Sequence, residues 1–304
     1  MLPAIPSFPM TTRRKFIQHA TALATAAAVT PSFLLRPKYK LGLQLYTLRE
    51  PMAKDLRGTL KKIAALGYEE VETYGFNYGG NKYYWGLEPK VAKQLLNDSN
   101  LTTSTGHYDL NKFMNTPVED LNRYVDQCIE GAHALKQEYI TWPWLDPESR
   151  TIEKFKILSE KLNLIGETIK KANLQLAYHN HDFEFIDQQG QIGYNIILQE
   201  TDPSLVKMQM DLYWVMHSSP LKPHDWFKKR PGRFVMWHIK DMDKVNRNLH
   251  TEVGNGTIDF KTIFADDSLA GLQHIFVEQG NNLMADPFQS VANSAAYVKK
   301  ELLK

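Results

Sequence analysis

Eight short apolar runs recur along the chain, at 41–46, 69–73, 101–107, 139–142, 174–179, 206–211, 234–239 and 274–278, and a stretch of helical period separates each from the next. The runs are rich in β-branched and aromatic residues, as strands are. The stretches between them place apolar residues three and four apart, as in Ala53, Leu56, Leu60, Ile63 and Ala64, or Phe155, Leu158, Leu162, Ile165 and Ile169. That spacing gathers apolar side chains on one face of a helix. Strands that alternate with helices run parallel, because a parallel neighbour is reached only through a long crossover. Residues at or beside the run ends, Tyr46, Glu72, His107, Trp142, His179, Asp211, His238 and Glu278, stand 26 to 40 positions apart. Eight such units predict an α/β fold of the (β/α)8 TIM barrel type, which takes about 250 residues. An open doubly wound sheet would want a Gly-rich phosphate loop after its first strand, and here that place reads Tyr46-Thr47-Leu48-Arg49-Glu50. No Gly/Ser-rich or Pro-rich linker divides residues 37–304, so they are expected to form a single domain.

The first 36 residues differ from the rest. They carry Arg13, Arg14, Lys15 and Arg36 and no acid, followed by an Ala/Thr-rich, weakly apolar stretch from Ala20 to Val29 and then Pro31. The stretch is too short and too polar to span a bilayer, which needs about 20 apolar residues. Its layout is that of a signal peptide. The Thr12-Arg13-Arg14-Lys15-Phe16-Ile17 start resembles the twin-arginine signal that exports folded proteins. A cleaved segment 1–36 and a periplasmic or otherwise exported product are therefore expected, with no stable membrane anchor. The chain's net charge of +2 owes its sign to this segment; without it 32 basic residues face 34 acidic ones. A slightly acidic barrel gives no reason to expect nucleic acid as partner. The single cysteine, Cys128, excludes an intrachain disulfide and a cysteine-rich zinc site.

In a barrel of this kind, chemistry sits at the C-terminal ends of the strands. The last four runs close on His179, Asp211, His238 and Glu278, and adjacent strands would bring these to one mouth. Two imidazoles and two carboxylates make a mixed N/O donor set for a divalent ion: Mn²⁺ foremost, with Zn²⁺, Co²⁺, Fe²⁺ and Mg²⁺ also suited. A bound ion would polarise a substrate carbonyl or hydroxyl.

From residue 40 onward the sequence resembles the xylose isomerase-like barrels grouped as sugar phosphate isomerases/epimerases, relatives of ketose 3-epimerases and inosose dehydratase. The resemblance is carried by Gly42-Leu43-Gln44-Leu45-Tyr46-Thr47-Leu48-Arg49, Tyr178-His179-Asn180-His181-Asp182-Phe183-Glu184-Phe185, and Met210-Asp211-Leu212-Tyr213-Trp214. His238-Ile239-Lys240-Asp241, Val253-Gly254-Asn255-Gly256-Thr257-Ile258-Asp259-Phe260 and Phe276-Val277-Glu278-Gln279 complete it. The resemblance implies a divalent metal held by Glu, Asp, His and Glu, with both glutamates moving protons. The matching positions are His179, Asp211, His238 and Glu278, so the first glutamate is replaced by His179. That weakens a symmetric two-glutamate epimerisation and leaves Glu278 as base, with His179 or His181 as the second acid/base.

Further residues qualify as substrate contacts. His107 could donate to a substrate hydroxyl, Glu184 could hold a sugar hydroxyl or orient a histidine, and Lys240 could neutralise an enolate or phosphate. Trp142, Trp144 and Trp214 suit the apolar face of a pyranose. The Gly/Tyr/Asn-rich loop from Tyr74 to Trp85 would serve as a lid or as a contact in a homo-oligomer, and Gly254-Asn255-Gly256 reads as a turn shaping the mouth rather than a phosphate loop. The leading expectation is an exported, metal-dependent sugar isomerase/epimerase that abstracts a proton beside a carbonyl of a sugar or keto-sugar. The alternatives are a lyase or dehydratase performing β-elimination on a 3-keto-glycoside or inosose, and a non-catalytic sugar-binding protein on the same barrel.

Overall fold

The computed structural model describes residues 38–77 and 82–303. The expected signal segment 1–36 and the centre of the Tyr74-to-Trp85 loop lie outside them. Eight parallel strands form the barrel: β1 (Leu41–Gln44), β2 (Glu70–Glu72), β3 (Thr105–His107), β4 (Tyr139–Trp142), β5 (Gln175–His179), β6 (Val206–Asp211), β7 (Met236–Ile239) and β8 (His274–Val277). Hydrogen-bonded neighbours run β2-β1-β8-β7-β6-β5-β4-β3. Single bridges, Glu70 to Thr102 and Thr73 to Gly106, join β2 to β3. The fold is the expected (β/α)8 barrel, nearly closed.

Strand register explains which side chains reach the interior. Parallel partners share a face, and alternate residues point to opposite faces. Gln44 pairs with Glu72, His107 with Thr141, Thr141 with Ala177, His179 with Gln209, Asp211 with His238, and His238 with Phe276. These residues therefore line the inside. Lower in the barrel the same rows carry Tyr139, Ala177, Met236 and Phe276, which with Val235 form a small buried apolar cluster beneath the polar layer. The opposite phase, Leu41, Leu43, Val71, Ile140, Trp142, Leu176, Tyr178, Met208, Met210, Trp237, Ile239, Ile275 and Val277, belongs to the main core shared with the helices.

The helices supply the other half of that core. Ile152–Lys171 begins at Thr151, whose hydroxyl accepts from Lys154 N at 3.3 Å, and buries Ile152, Phe155, Leu158, Leu162, Ile165 and Ile169 along one stripe. Each such aliphatic side chain contributes about 1.5–3 kcal/mol on burial. The described flanks of the Tyr74-to-Trp85 loop are anchored by Phe76, whose ring packs against Tyr83, Tyr84, Tyr108 and Tyr124. Among the described residues no helix is long and apolar enough to cross a membrane.

Candidate metal and active site

The inward row brings His179, Asp211, His238 and Glu278 together as expected: one ligand atom from each lies within 4.8 Å of the others. Each arrives from its own strand end. His179 closes β5, Asp211 closes β6 and caps the following helix through Trp214 N to Oδ1 at 3.1 Å, His238 stands in β7, and Glu278 directly follows β8. All four are buried.

His238 is held at both nitrogens. Nδ1 lies 2.8 Å from Glu278 Oε2 and Nε2 lies 2.6 Å from Glu72 Oε2. Burial alone would lower its pKa, but the two carboxylates win and lift it to about 9. Glu72 was legible only as a strand end, yet it is the hub beneath the site. It accepts from Gln44 Nε2 at 2.5 Å and Gln209 Nε2 at 2.6 Å, and sits 3.2 Å from His107 Nε2. Burial pushes its carboxyl up, while His107 and His238 outweigh that and hold it below the ordinary carboxylate range. A carboxylate behind a histidine ligand fixes the ring's orientation and tautomer.

Lys240, in phase with His238, turns its ammonium inward to 2.7 Å from Asp211 Oδ2 and 2.6 Å from Glu278 Oε2. Against the cost of burial, these carboxylates hold its pKa above the ordinary lysine value. Glu278, facing Lys240 and His238, overcomes its burial and lies well below the usual carboxylate range. It is therefore ionised at neutral pH. Asp211 is raised, chiefly by burial and with Glu278 as neighbouring charge. His179 and His181 are driven well below the ordinary imidazole range, foremost by burial, so both are neutral.

The donor set fits a divalent cation. Two carboxylates and two histidines converge, His179 is neutral with Nδ1 buried and without a hydrogen-bond partner, and Glu72 backs His238. Outside this cluster a cavity of about 390 Å³ is lined by Tyr46, Tyr74, Gly75, His107, Asp109, Pro143, Trp144, His179, His181 and Glu278.

The substrate-contact expectations divide. His107 lines the cavity, with Nε2 2.8 Å from Gln209 Oε1. Lys240 is committed to the two carboxylates. Glu184 is fully buried and accepts from Tyr178 Oη and from His181 N, each at 2.8 Å, so it fixes the turn carrying His181 and does not line the cavity. Trp142 is corrected. It stands one residue out of phase with inward-facing Thr141, is wholly buried in the core against the helices, and donates its indole N–H to Trp144 O at 2.9 Å. Of the three tryptophans it is Trp144 that lines the cavity, held by the Arg150 guanidinium 4.5 Å over its ring and by His181 edge-on. Tyr46, two residues beyond β1, lines it with Tyr74 edge-on and Arg49 4.6 Å over its ring. Trp214 sits beside His181 and Lys240 but outside the cavity lining. The Gly254-Asn255-Gly256 turn wraps the Asp241 carboxylate, which accepts from the N–H groups of Met242, Gly254, Gly256 and Ile258 at 2.8–3.1 Å. Gly256 is required there, since a Cβ would lie 2.2 Å from Asp241 Oδ1.

The sequence matches the xylose isomerase-like TIM barrel family over residues 60–276, and the chain belongs to that family. Among curated relatives, inosose dehydratase of Geobacillus thermodenitrificans is 24% identical over 168 residues, 49% of this chain and 55% of that protein. The chain thus matches about half the length of that relative. Among solved structures, a sugar phosphate isomerase/epimerase from Parabacteroides distasonis superposes with a TM-score of 0.78 at 25% identity, covering 91% of this chain and 99% of that one. A xylose isomerase-like barrel from Mycobacterium smegmatis in complex with magnesium superposes with a TM-score of 0.64 at 12% identity, covering 86% and 96%.

Proposed function

We propose that the chain is a metal-dependent carbon–oxygen lyase that eliminates a β-oxygen from a keto-sugar or keto-polyol. One observation carries this choice over two-glutamate epimerisation: among the described residues, Glu278 is the only glutamate lining the cavity. Glu72 lies beneath His238 with its oxygens engaged, and the wall that would need a second carboxylate carries neutral His179 and His181. The one other carboxylate of the described lining, Asp109, is paired with Lys112 Nζ at 2.6 Å, which disfavours epimerisation by two free carboxylates on opposite faces. Elimination needs one base and one donor to the leaving oxygen, which this arrangement supplies. The likeness to inosose dehydratase supports the same reading.

In this reading Asp211, His179, His238 and Glu278 hold the ion, which when bound would polarise the substrate carbonyl and acidify the neighbouring C–H. Glu278, ionised at neutral pH, removes that proton. The C–H electron pair becomes the new C=C bond as the β-carbon–oxygen bond breaks. The departing oxygen takes the C–O electron pair, accepts a hydrogen bond from neutral His181 at the cavity wall, and is protonated by the Glu278 carboxyl or by water. His107 and Trp144 position the ring, and the pocket restricts water around the base. The ion we favour is Mn²⁺, and magnesium in the mycobacterial relative supports a hard divalent cation.

Product analysis tests the choice. Metal-loaded protein incubated with an inosose and with a 3-keto-glucoside should yield an unsaturated product detectable by NMR and ultraviolet absorbance. A saturated isomer or epimer, without alkene, would return the function to isomerisation. We also propose export through the twin-arginine segment. Fusion of residues 1–36 to a folded reporter should deliver it to the periplasm, and the Arg13→Lys/Arg14→Lys pair should retain it inside.

A further inference from the structure

Lys240 is only 3% exposed, and its ammonium lies within ion-pair distance of two carboxylate oxygens, Asp211 Oδ2 and Glu278 Oε2. A lysine ammonium is strongly hydrated and compact, and burying it is tolerated only with full pairing. Both partners belong to the metal donor set, and at Asp211 the overlap is complete. Oδ1 is occupied by the backbone N–H of Trp214, so Oδ2 is the oxygen free for an ion, and the ammonium holds it at 2.7 Å. At Glu278 the ammonium shares Oε2 with His238 Nδ1.

Two buried carboxylates this close repel unless a cation lies between them. We propose that Lys240 is a tethered counter-cation that holds Asp211 and Glu278 together in the metal-free protein and is displaced from Asp211 Oδ2 when a divalent cation binds. Metal affinity then includes the cost of breaking the Lys240–Asp211 pair. The displaced ammonium has a place nearby, since Nζ already lies 5.8 Å over the Trp214 ring. The inference rests on the metal-dependent reading of the site.

The test titrates MnCl₂ into metal-free full-length protein and its Lys240→Met variant by isothermal calorimetry, with thermal unfolding of each before and after loading. The variant should bind Mn²⁺ at least about tenfold more tightly, which is about 1.4 kcal/mol. Its metal-free form should unfold at lower temperature, so its rise on loading exceeds that of the parent. Equal or weaker Mn²⁺ binding by the folded variant overturns the inference. Binding of neither Mn²⁺ nor Zn²⁺ by either protein overturns the metal-dependent reading, and this inference with it. Should the variant not fold, ¹⁵N-lysine NMR of the parent takes its place: stoichiometric Zn²⁺ should shift the Lys240 ammonium resonance, and an unmoved resonance in a protein that has bound Zn²⁺ refutes displacement.

Discussion

Glu72→Gln probes the buried hub with almost no change of shape. Glu72 accepts from Gln44 Nε2, Gln209 Nε2 and His238 Nε2 at 2.5–2.6 Å. A glutamine there offers one acceptor oxygen and one NH₂ group to three donors, so at least one buried donor loses its partner. Each lost bond to a charged acceptor costs about 1.5–3 kcal/mol and an orphaned buried donor about 1–3 kcal/mol. Removing one member of a buried charged pair costs about 3–5 kcal/mol in total, which sets the expected loss in urea denaturation. Against a total stability of about 5–15 kcal/mol, the variant stays folded wherever the parent exceeds about 5 kcal/mol. Loss of the carboxylate behind His238 should also weaken Mn²⁺ binding about 10–100-fold. Glu70→Gln, two residues lower in the same row and paired with His274 at 3.2 Å, should leave Mn²⁺ affinity unchanged. A loss under about 1 kcal/mol, together with parental Mn²⁺ affinity, would refute the role given to Glu72.

Other outcomes follow from the same geometry. Trp142→Ala empties a fully buried site and should cost about 3–5 kcal/mol with little effect on substrate affinity per folded molecule, whereas Trp144→Ala should cost under about 1 kcal/mol and raise KM; urea denaturation and steady-state kinetics separate the two. The metal-free protein should lose stability in alkali. His238 has a folded pKa near 9 against an unfolded value of about 6.5, so its contribution is full below about pH 6.5 and disappears as pH rises through 9. Denaturation at about pH 6 and about pH 10 should differ by a few kcal/mol, and the His238→Asn variant should flatten that difference. Glu278 has the opposite sign: its depressed pKa contributes stability that is lost as pH falls through the folded value, so acid should also loosen the site.

The repeat of apolar runs made the barrel legible, because eight strands at one βα spacing leave few architectures. The four polar strand ends made the cluster of His179, Asp211, His238 and Glu278 legible for a related reason: a charged residue closing a buried strand needs a partner, and strand order makes neighbours of consecutive ends. Glu72 was visible in the same series, but a run that also carries Glu69 and Glu70 does not single it out. Strand phase separates them. Glu72 shares the inward face with Gln44 through register, a relation between strands that a single run does not contain. Trp142 failed on the same point, since its place at a strand end says nothing of its face until Thr141 is fixed against Ala177. Lys240 was read as a cation for a substrate enolate or phosphate from its place two residues after His238. Its inward turn depends on Asp211 and Glu278 arriving from strands 29 residues before and 38 residues after it.

The central claim is that Glu278 removes a proton beside a carbonyl in a metal-loaded site. Its most direct measurement is deuterium incorporation into a keto-sugar in D₂O, followed by NMR with the metal-loaded parent, the chelated parent and the metal-loaded Glu278→Gln variant. The loaded parent alone should release the α-proton, seen as deuterium beside the carbonyl in recovered substrate or as an unsaturated product that has lost that proton. Equal exchange in the Glu278→Gln variant, shown to retain its metal, would contradict the assignment of the base.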